Sequence, residues 1–398
     1  MQKITQTKDI YDIIIENALK DWEKSMNSQN QREQWEVPKY SKLEINKAGS
    51  IIADSSSSKE DRDNALIILN NWRAAHAYPL QVICSNLRLR NPDAIVVQRL
   101  KRLESITGKI ERFPDMSLYR MQDLGGCRVI VDTIDQVYEA VEKYKKSRIR
   151  HILKREYDYI QNPKESGYRS YHMVYQFQSD KKETYNKNML IEIQFRTKFQ
   201  HIWATAVEMM GIYTKSQLKA SKGDKDVLRF FTLVSSLFAI REDMPVCPNT
   251  SGWADELINE IVQINQRNNI IMKLKAINQA IQITEYNENF YLKNGYYLLL
   301  LNYNEPSLNI KTFKPSEFEL AANLYGQIEA GFQRKIDTVL VSVKSFSELK
   351  EAYPNYFVDI SEFLDVLKNT IIIYSQYNEN AKSFIKNNYI LENSIPVG

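Results

Sequence analysis

Cysteine is scarce in this chain. Its three cysteines, Cys84, Cys127 and Cys247, stand far apart and are odd in number, which argues against a disulfide framework or a cysteine-rich zinc site. They read as ordinary buried thiols. The four histidines, His76, His151, His172 and His201, include no pair with metal-ligand spacing, so no zinc is expected. No apolar run approaches membrane-spanning length, and the opening Met1-Gln-Lys-Ile-Thr-Gln-Thr-Lys lacks a charged segment followed by an apolar one. Neither a membrane partner nor a secretory signal is expected, and the location should be cytoplasmic. Charge of one sign is also lacking: 53 Lys and Arg against 49 Asp and Glu leave only +4, too little to diagnose nucleic-acid binding from net charge. There is no internal repeat, and Ser55 to Ser58 is the one low-complexity stretch.

What is present fits a soluble globular protein, with 43% apolar and 26% charged residues in 398, enough for two or three domains with real cores. Residues 6 to 50 read as helical, with Ile10, Ile13, Ile14 and Leu19 on one face. Ser58 is placed to cap a second helix carrying Glu60 and Asp61 in its first turn and Leu66, Ile67, Leu69 and Trp72 further on. A third element runs through Tyr78-Pro79 to Asn91-Pro92, so residues 1–94 form a helical N-terminal region.

From residue 95 the period changes. Gly125 to Val131 reads as a buried strand, Asp135 to Lys146 as a helix, and Tyr171 to Phe177 and Met189 to Phe195 as alternating strands. Residues 198–217 and 226–240 return to helical spacing. Trp253 to Ile283 carries an apolar stripe that predicts one long amphipathic helix, part of a helical connector over 226–284. Beyond it, Tyr296 to Tyr303, Leu308 to Phe313 and Thr338 to Val343 read as strands, and capping boxes at Ser316 and Ser345 open two helices. This order predicts a small separate α/β domain over 285–398. The expected class is α+β: a mixed sheet flanked by helices over 95–225, a helical N-terminal region, and the small C-terminal domain.

Three groups of residues carry chemistry. Arg99, Lys101, Arg102, Ser105 and Lys109 are spaced to meet a row of phosphate oxygens, though the same spacing suits a solvated basic face. Asp123, in Gln122-Asp-Leu-Gly-Gly-Cys-Arg128, is a carboxylate at the mouth of a buried strand, where two glycines allow close backbone approach; a turn cap is the plainer reading. Glu192 stands alone among apolar neighbours in Ile191-Glu-Ile-Gln-Phe-Arg-Thr197, or else faces outward to pair with Arg196. Two carboxylates from neighbouring strands suit Mg²⁺, which fills its other positions with water and phosphate oxygens. Between these groups lies Asp158-Tyr-Ile-Gln-Asn-Pro-Lys-Glu-Ser-Gly-Tyr-Arg-Ser-Tyr-His172, a turn that frees the Tyr168 ring to stack on a base or on arginine, or to pack plainly. Just before it, residues 143–155 concentrate basic side chains. His201 reads as structural.

The ordered motifs Arg-x-Lys…Ser…Lys, Asp-Leu-Gly-Gly-x-Arg-Val, Asp-Tyr-Ile-x-x-Pro-Lys-x-x-Gly-Tyr-Arg-Ser-x-His, Glu-Ile-Gln-x-Arg-Thr and His-x-Trp-Ala resemble the synthetase domain of RelA/SpoT-like alarmone synthetases over residues 95 to 215. The resemblance implies a nucleotidyltransferase-like mixed sheet and transfer of the β,γ-pyrophosphate of ATP to a ribose 3′-hydroxyl of GDP or GTP. It implies that Arg99, Lys101, Ser105, Lys109 and Arg128 hold ATP, and that Asp123 and Glu192 are the catalytic, Mg²⁺-binding pair, with Glu192 also drawing the proton from the attacking hydroxyl. Tyr168 would stack on the acceptor base, with Lys164, Arg169, His172, Gln194 and Arg196 on the acceptor side.

Some features depart from the family pattern. No histidine here is followed by aspartate, the pair required by the hydrolase domain of bifunctional members, and residues 1–94 are too few for that domain, so hydrolysis is not expected. The lysine usual before Asp-Tyr-Ile is Tyr157, with Lys154 and Arg155 as substitutes on the ATP side, and the histidine usual after the later glutamate is Met209, following Glu208. These changes leave the acceptor open. Some small relatives, typically toxins, pyrophosphorylate the 3′ CCA end of tRNA, and residues 143–155 with Lys215, Lys219, Lys222 and Lys225 are able to track an RNA backbone. A catalytically silent nucleotide sensor is a third reading, against which the intact Asp123, Glu192 and Tyr168 count. A homo-oligomer and a regulatory partner at 285–398 are left open.

Overall fold

Ser41 accepts a hydrogen bond from the Glu44 N–H while the Glu44 carboxylate accepts from the Ser41 N–H, a reciprocal cap that opens helix α1 (Lys42–Ala53). Ser58 caps α2 (Lys59–Ala75) through the Asp61 N–H, as its sequence predicts, and α3 (Ala77–Arg90) follows at once. The computed structural model describes residues 35–113, 116–213, 224–280, 295–302, 307–331, 336–342, 360–374 and 379–389. The apolar face expected at residues 10–19, the lysines 215, 219 and 222 and the Ser345 cap lie outside them.

Eight strands form one sheet: β1 (Ile95–Leu100), β2 (Gly125–Val131), β3 (Ile152–Asp158), β4 (Tyr171–Gln176), β5 (Leu190–Thr197), β6 (Tyr296–Asn302), β7 (Ser307–Phe313) and β8 (Ile336–Ser342), in the order β3-β4-β5-β2-β1-β8-β6-β7. The β2–β5 pair is parallel and the other pairs are antiparallel, so the sheet is mixed, as expected. Helices α4 (Leu103–Arg112) and α5 (Ile134–Lys145) follow β1 and β2. Then come α6 (Lys198–Tyr213), α7 (Lys225–Arg241), α8 (Ala254–Asn268), α9 (Ile270–Ala280), α10 (Phe318–Gly331), α11 (Ser361–Tyr374) and α12 (Glu379–Tyr389).

Strand alternation sends Cys127, Val129, Ile191, Ile193, Phe195 and Met173 to one face, where they pack with Leu69, Trp72, Ile83, Leu87, Val137 and Tyr144 from α2, α3 and α5. The opposite face carries the polar residues of the site. A second core lies among α6, α7, α8, α9, α11 and α12, built around Trp203, Phe230, Phe231, Leu237, Ile261 and Phe363.

Two expectations are corrected here. The segment 285–398 is not separate in the described structure: β8 pairs with β1 at Gln98↔Ser342 and Arg99↔Val341. Its Tyr296, Leu298, Leu324 and Tyr325 belong to the first core and its Phe363, Leu367 and Phe384 to the second. Strands of that length needed a neighbour, and the free edge of β1 supplied it. The predicted long helix is two, broken where Asn269 takes the left-handed conformation at φ 51°. The apolar stripe continues across the break because both halves bury it in the same core. Among the described residues no helix is long and apolar enough to cross a membrane.

Candidate active site

Strand register decides which side chains meet. Across the sheet, Arg99 lies opposite Gly126, Gly126 beside Glu192, and Glu192 opposite Val174 and, beyond it, Arg155. The neighbouring row runs Val97, Arg128, Gln194, His172 and Tyr157. Cross-strand partners share a face, so these two rows share a face of the sheet. A pocket on this face is lined by Val97, Arg99, Lys101, Asp123, Gly126, Cys127, Arg128, Glu192 and Gln194. At Gly126 an added Cβ would meet only the Glu192 carbonyl, at 3.8 Å, so the missing side chain keeps the floor between Arg99 and Glu192 open.

Asp123 sits just before β2. Its Oδ2 accepts from Lys101 Nζ at 2.8 Å and its Oδ1 from Lys109 Nζ at 2.9 Å. Burial works to raise this carboxyl, but the two ammonium groups outweigh it and bring it down to about 2. Burial pushes the Lys101 ammonium down, with Lys109 and Arg99 adding repulsion and Asp123 opposing them. Ser105 lies one turn before Lys109 on α4, on the same helix face. Arg128 reaches His201, with Nη1 3.4 Å from Nδ1.

Because the Asp123 carboxyl is depressed when folded, its contribution is present above the unfolded value near 4 and lost as pH falls toward about 2. We expect wild type to lose about 2 kcal/mol between pH 7 and pH 2 that an Asp123→Asn variant does not lose. Urea denaturation of both proteins at the two pH values measures the difference, and an equal loss in both would overturn the assignment.

Glu192 is held at both oxygens. His172 Nδ1 lies 3.1 Å from Oε1, and Gln194 Nε2 donates to Oε2 at 2.8 Å. Burial would raise this carboxyl too, yet the hydrogen bond and charge of His172 and the Gln194 amide lower it, against the repulsion of Asp123. Tyr168 hydroxyl is 2.8 Å from His172 Nε2 and accepts from Arg196 Nη2 at 2.6 Å. Burial raises the Tyr168 phenol, but the Arg196 guanidinium and His172 bring it down to about 7. The ring has Lys164 Nζ 5.3 Å and Arg196 Cζ 5.1 Å from its centroid, so both cations lie over a ring expected to stack on a base.

The turn that presents Tyr168 depends on Gly167, whose φ is +87° and whose added Cβ would lie 2.8 Å from Trp203 Cζ2 and 3.2 Å from the Thr232 backbone. Ser235 Oγ donates to the Gly167 carbonyl at 2.6 Å. Gly167→Ala should cost about 2 kcal/mol through positive φ and the clash together. Chemical denaturation checks it.

Other expected residues fall differently. Arg169 does not line the acceptor side: it is buried, donating to Ser235 Oγ at 3.1 Å, the Ile160 carbonyl at 3.2 Å and Cys247 Sγ at 3.4 Å, and it ties the turn to α7. All three of its guanidinium nitrogens donate into the core beneath the turn. Arg155 shares the face of the site, whereas Lys154 is the extra residue of a β-bulge on the exposed strand β3. Met209 is buried in the second core, and Glu208 pairs with Arg102 at 3.5 Å. Tyr159 was not singled out from sequence; Lys164 Nζ lies 4.2 Å over its ring, and it stacks on Tyr157 with centroids 5.6 Å apart. The spacing of Tyr157 and Tyr159 by two, across the end of β3, was the available signal.

The two carboxylates line one pocket and offer hard oxygen donors, a fit to Mg²⁺ with phosphate and water completing its shell. Among the described residues there is no group of three or more His, Cys, Asp or Glu side chains that could hold a metal ion.

Residues 98–218 match the family model described as "Region found in RelA / SpoT proteins". The GTP pyrophosphokinase YwaC of Bacillus subtilis (strain 168) is 30% identical over 156 residues, covering 37% of this chain and 72% of that protein. The chain belongs to the RelA/SpoT family. A second relative of this RelA/SpoT member, the GTP pyrophosphokinase YjbM of the same organism, is 36% identical over 119 residues, 29% of this chain. The chain spans only about half, 54%, of that relative's length. Among solved structures, a GTP pyrophosphokinase family protein from Streptococcus pneumoniae has 27% identity over 41% of this chain and 84% of its own, with a TM-score of 0.36.

Proposed function

We propose that this protein transfers the β,γ-pyrophosphate of ATP to the ribose 3′-hydroxyl of GDP or GTP, breaking the bond between the α- and β-phosphates and releasing AMP. The observation that carries the reading is one face on which cations (Arg99, Lys101, Lys109, Arg128), two carboxylates (Asp123, Glu192) and an aromatic, hydrogen-bonding group (Tyr168, His172, Gln194) follow in order. Family membership and the names of its relatives support it.

Arg99 and Arg128 flank the pocket and present guanidinium donors to phosphate oxygens. Lys101 and Lys109, now paired with Asp123, are placed to turn to phosphate when ATP enters, and Asp123 and Glu192 are the residues that would hold Mg²⁺. Such an ion would supply charge neutralisation on the phosphates. Glu192 takes the proton of the attacking hydroxyl, and its depressed pKa keeps it ionised to do so. Little covalent work falls to the protein; alignment and charge neutralisation supply the rate.

A second acceptor reading, the 3′ end of tRNA, draws on the stacked Tyr157–Tyr159 pair beside Tyr168, with Lys164 over it. Aromatic faces joined by cations suit successive bases of a single strand. Incubation with Mg²⁺ and γ-³²P-labelled ATP, offering GDP, GTP and deacylated tRNA separately, decides between them. Label on GDP or GTP supports the proposal, label on tRNA alone replaces the acceptor, and label on none sinks the transferase reading in favour of a silent sensor.

A further inference from the structure

Five side chains close a ring of hydrogen bonds between one guanidinium and one carboxylate. From Arg196 Nη2, one arm goes to the Tyr168 oxygen at 2.6 Å, continues through the 2.8 Å link between that oxygen and His172 Nε2, and ends from His172 Nδ1–H on Glu192 Oε1 at 3.1 Å. The other goes from Arg196 Nη2 to Gln194 Oε1 at 2.9 Å and from Gln194 Nε2 to Glu192 Oε2 at 2.8 Å. Both arms begin at one guanidinium and end on the two oxygens of one carboxylate. Glu192 can only accept, so His172 Nδ1 carries a proton; the proton of the Tyr168–His172 link sits on the hydroxyl beside a neutral ring, or on Nε2 beside a phenolate, and the chain of contacts is complete either way.

Arg196 is 3% exposed, makes no direct ion pair among the described residues, and its Nε has no hydrogen-bond partner there. A buried guanidinium without its own carboxylate is costly. Its charge is answered by Glu192 through the two arms, and hydrogen bonds in such chains polarise one another.

We propose that Arg196 is the remote anchor of Glu192, and that Tyr168 and His172 are positioning residues acting in series between them. This rests on the reading of Glu192 as the proton acceptor for the 3′-hydroxyl. The Tyr168 hydroxyl then has a role apart from its ring: the face meets the acceptor, the hydroxyl aims the carboxylate. A glutamate with free side-chain torsions would sample orientations in which neither oxygen faces the attacking hydroxyl, and misplacement of about 1 Å costs roughly 100-fold.

The test is a double-mutant cycle of Tyr168→Phe and His172→Asn in the full chain, with kcat and both KM values measured. Phenylalanine keeps the ring and removes the hydroxyl; asparagine keeps a donor near the Nδ1 position and drops the link to Tyr168. Each single change should lower kcat by roughly 10- to 100-fold, with the KM for ATP and for the acceptor within about threefold. The double variant should be no worse than the poorer single, because both cut one relay. Single variants with wild-type kcat, or losses that multiply in the double variant, would overturn the relay while leaving the transferase reading intact. A wild-type protein silent with every acceptor overturns the transferase reading, and the positioning role with it.

Discussion

Glu192→Gln is expected to lower kcat by roughly 10³-fold while the protein folds normally. Glutamine is nearly isosteric, and its carbonyl oxygen still accepts from His172 Nδ1, so one arm of the ring survives. What disappears is the charge. The carboxylate lies on the pocket wall opposite Arg99 across Gly126, held ionised by His172 and Gln194 against the repulsion of Asp123. Without it there is no acceptor for the proton of the attacking hydroxyl, and one of the two oxygen ligands proposed for Mg²⁺ is weakened. Nucleotide affinity should fall much less, because the cations proposed to meet the phosphates stand on β1, β2 and α4 and, for Lys101, just after β1. Single-turnover kinetics beside equilibrium binding of a non-hydrolysable ATP analogue separates the two effects. Normal turnover in the variant would remove Glu192 from the chemistry; loss of analogue binding equal to the loss of rate would make it a binding residue.

The central part of the fold was legible because its strands are short, apolar and alternating. Gly125 to Val131 matches β2 to the residue, and the alternation through Ile191-Glu-Ile-Gln set Glu192 apart from its apolar neighbours, on the face that carries the pocket. The Asp123, Glu192 and Tyr168 neighbourhood followed from ordered motifs that brought side chains from different strands together. Sequence could not show that Lys101 and Lys109 close on Asp123, because a basic stretch reads alike whether its partner is phosphate, solvent or carboxylate. Nor could it show Arg169 turning into the core while its neighbour Tyr168 faces the site. Strand β3 was hidden under basic residues: on an exposed edge, charge replaces the apolar alternation that would mark it. The break at Asn269 was invisible for a different reason, since both helices bury the same stripe against one core.

Deleting residues 285–398 is expected to abolish a soluble, cooperatively folded protein instead of releasing a free synthetase. The pairing of β8 with β1 is short, two residue pairs, and alone would not decide this. Arg88 strengthens it, donating from one guanidinium to the Val96 carbonyl at 3.1 Å and the Ser342 carbonyl at 3.0 Å. The larger effect is in the cores. Removal takes Tyr296, Leu298, Leu324 and Tyr325 from the first and Phe363, Leu367, Ile371 and Phe384 from the second, and it uncovers Phe231 and Phe238, which touch Phe363. Burying each large apolar side chain contributes about 2 kcal/mol. Five such losses already match a whole domain's margin of roughly 5–15 kcal/mol. The site would feel the change through two routes: Arg99 loses its β8 partner, and α7, which holds Gly167 and Arg169 through Ser235, loses its packing against α11. Expression of residues 1–284 beside the full chain, compared by thermal melting and by transfer of label from ATP, tests it. A shortened chain that melts cooperatively and turns over normally would restore the separate-domain organisation and leave 285–398 as an appendage.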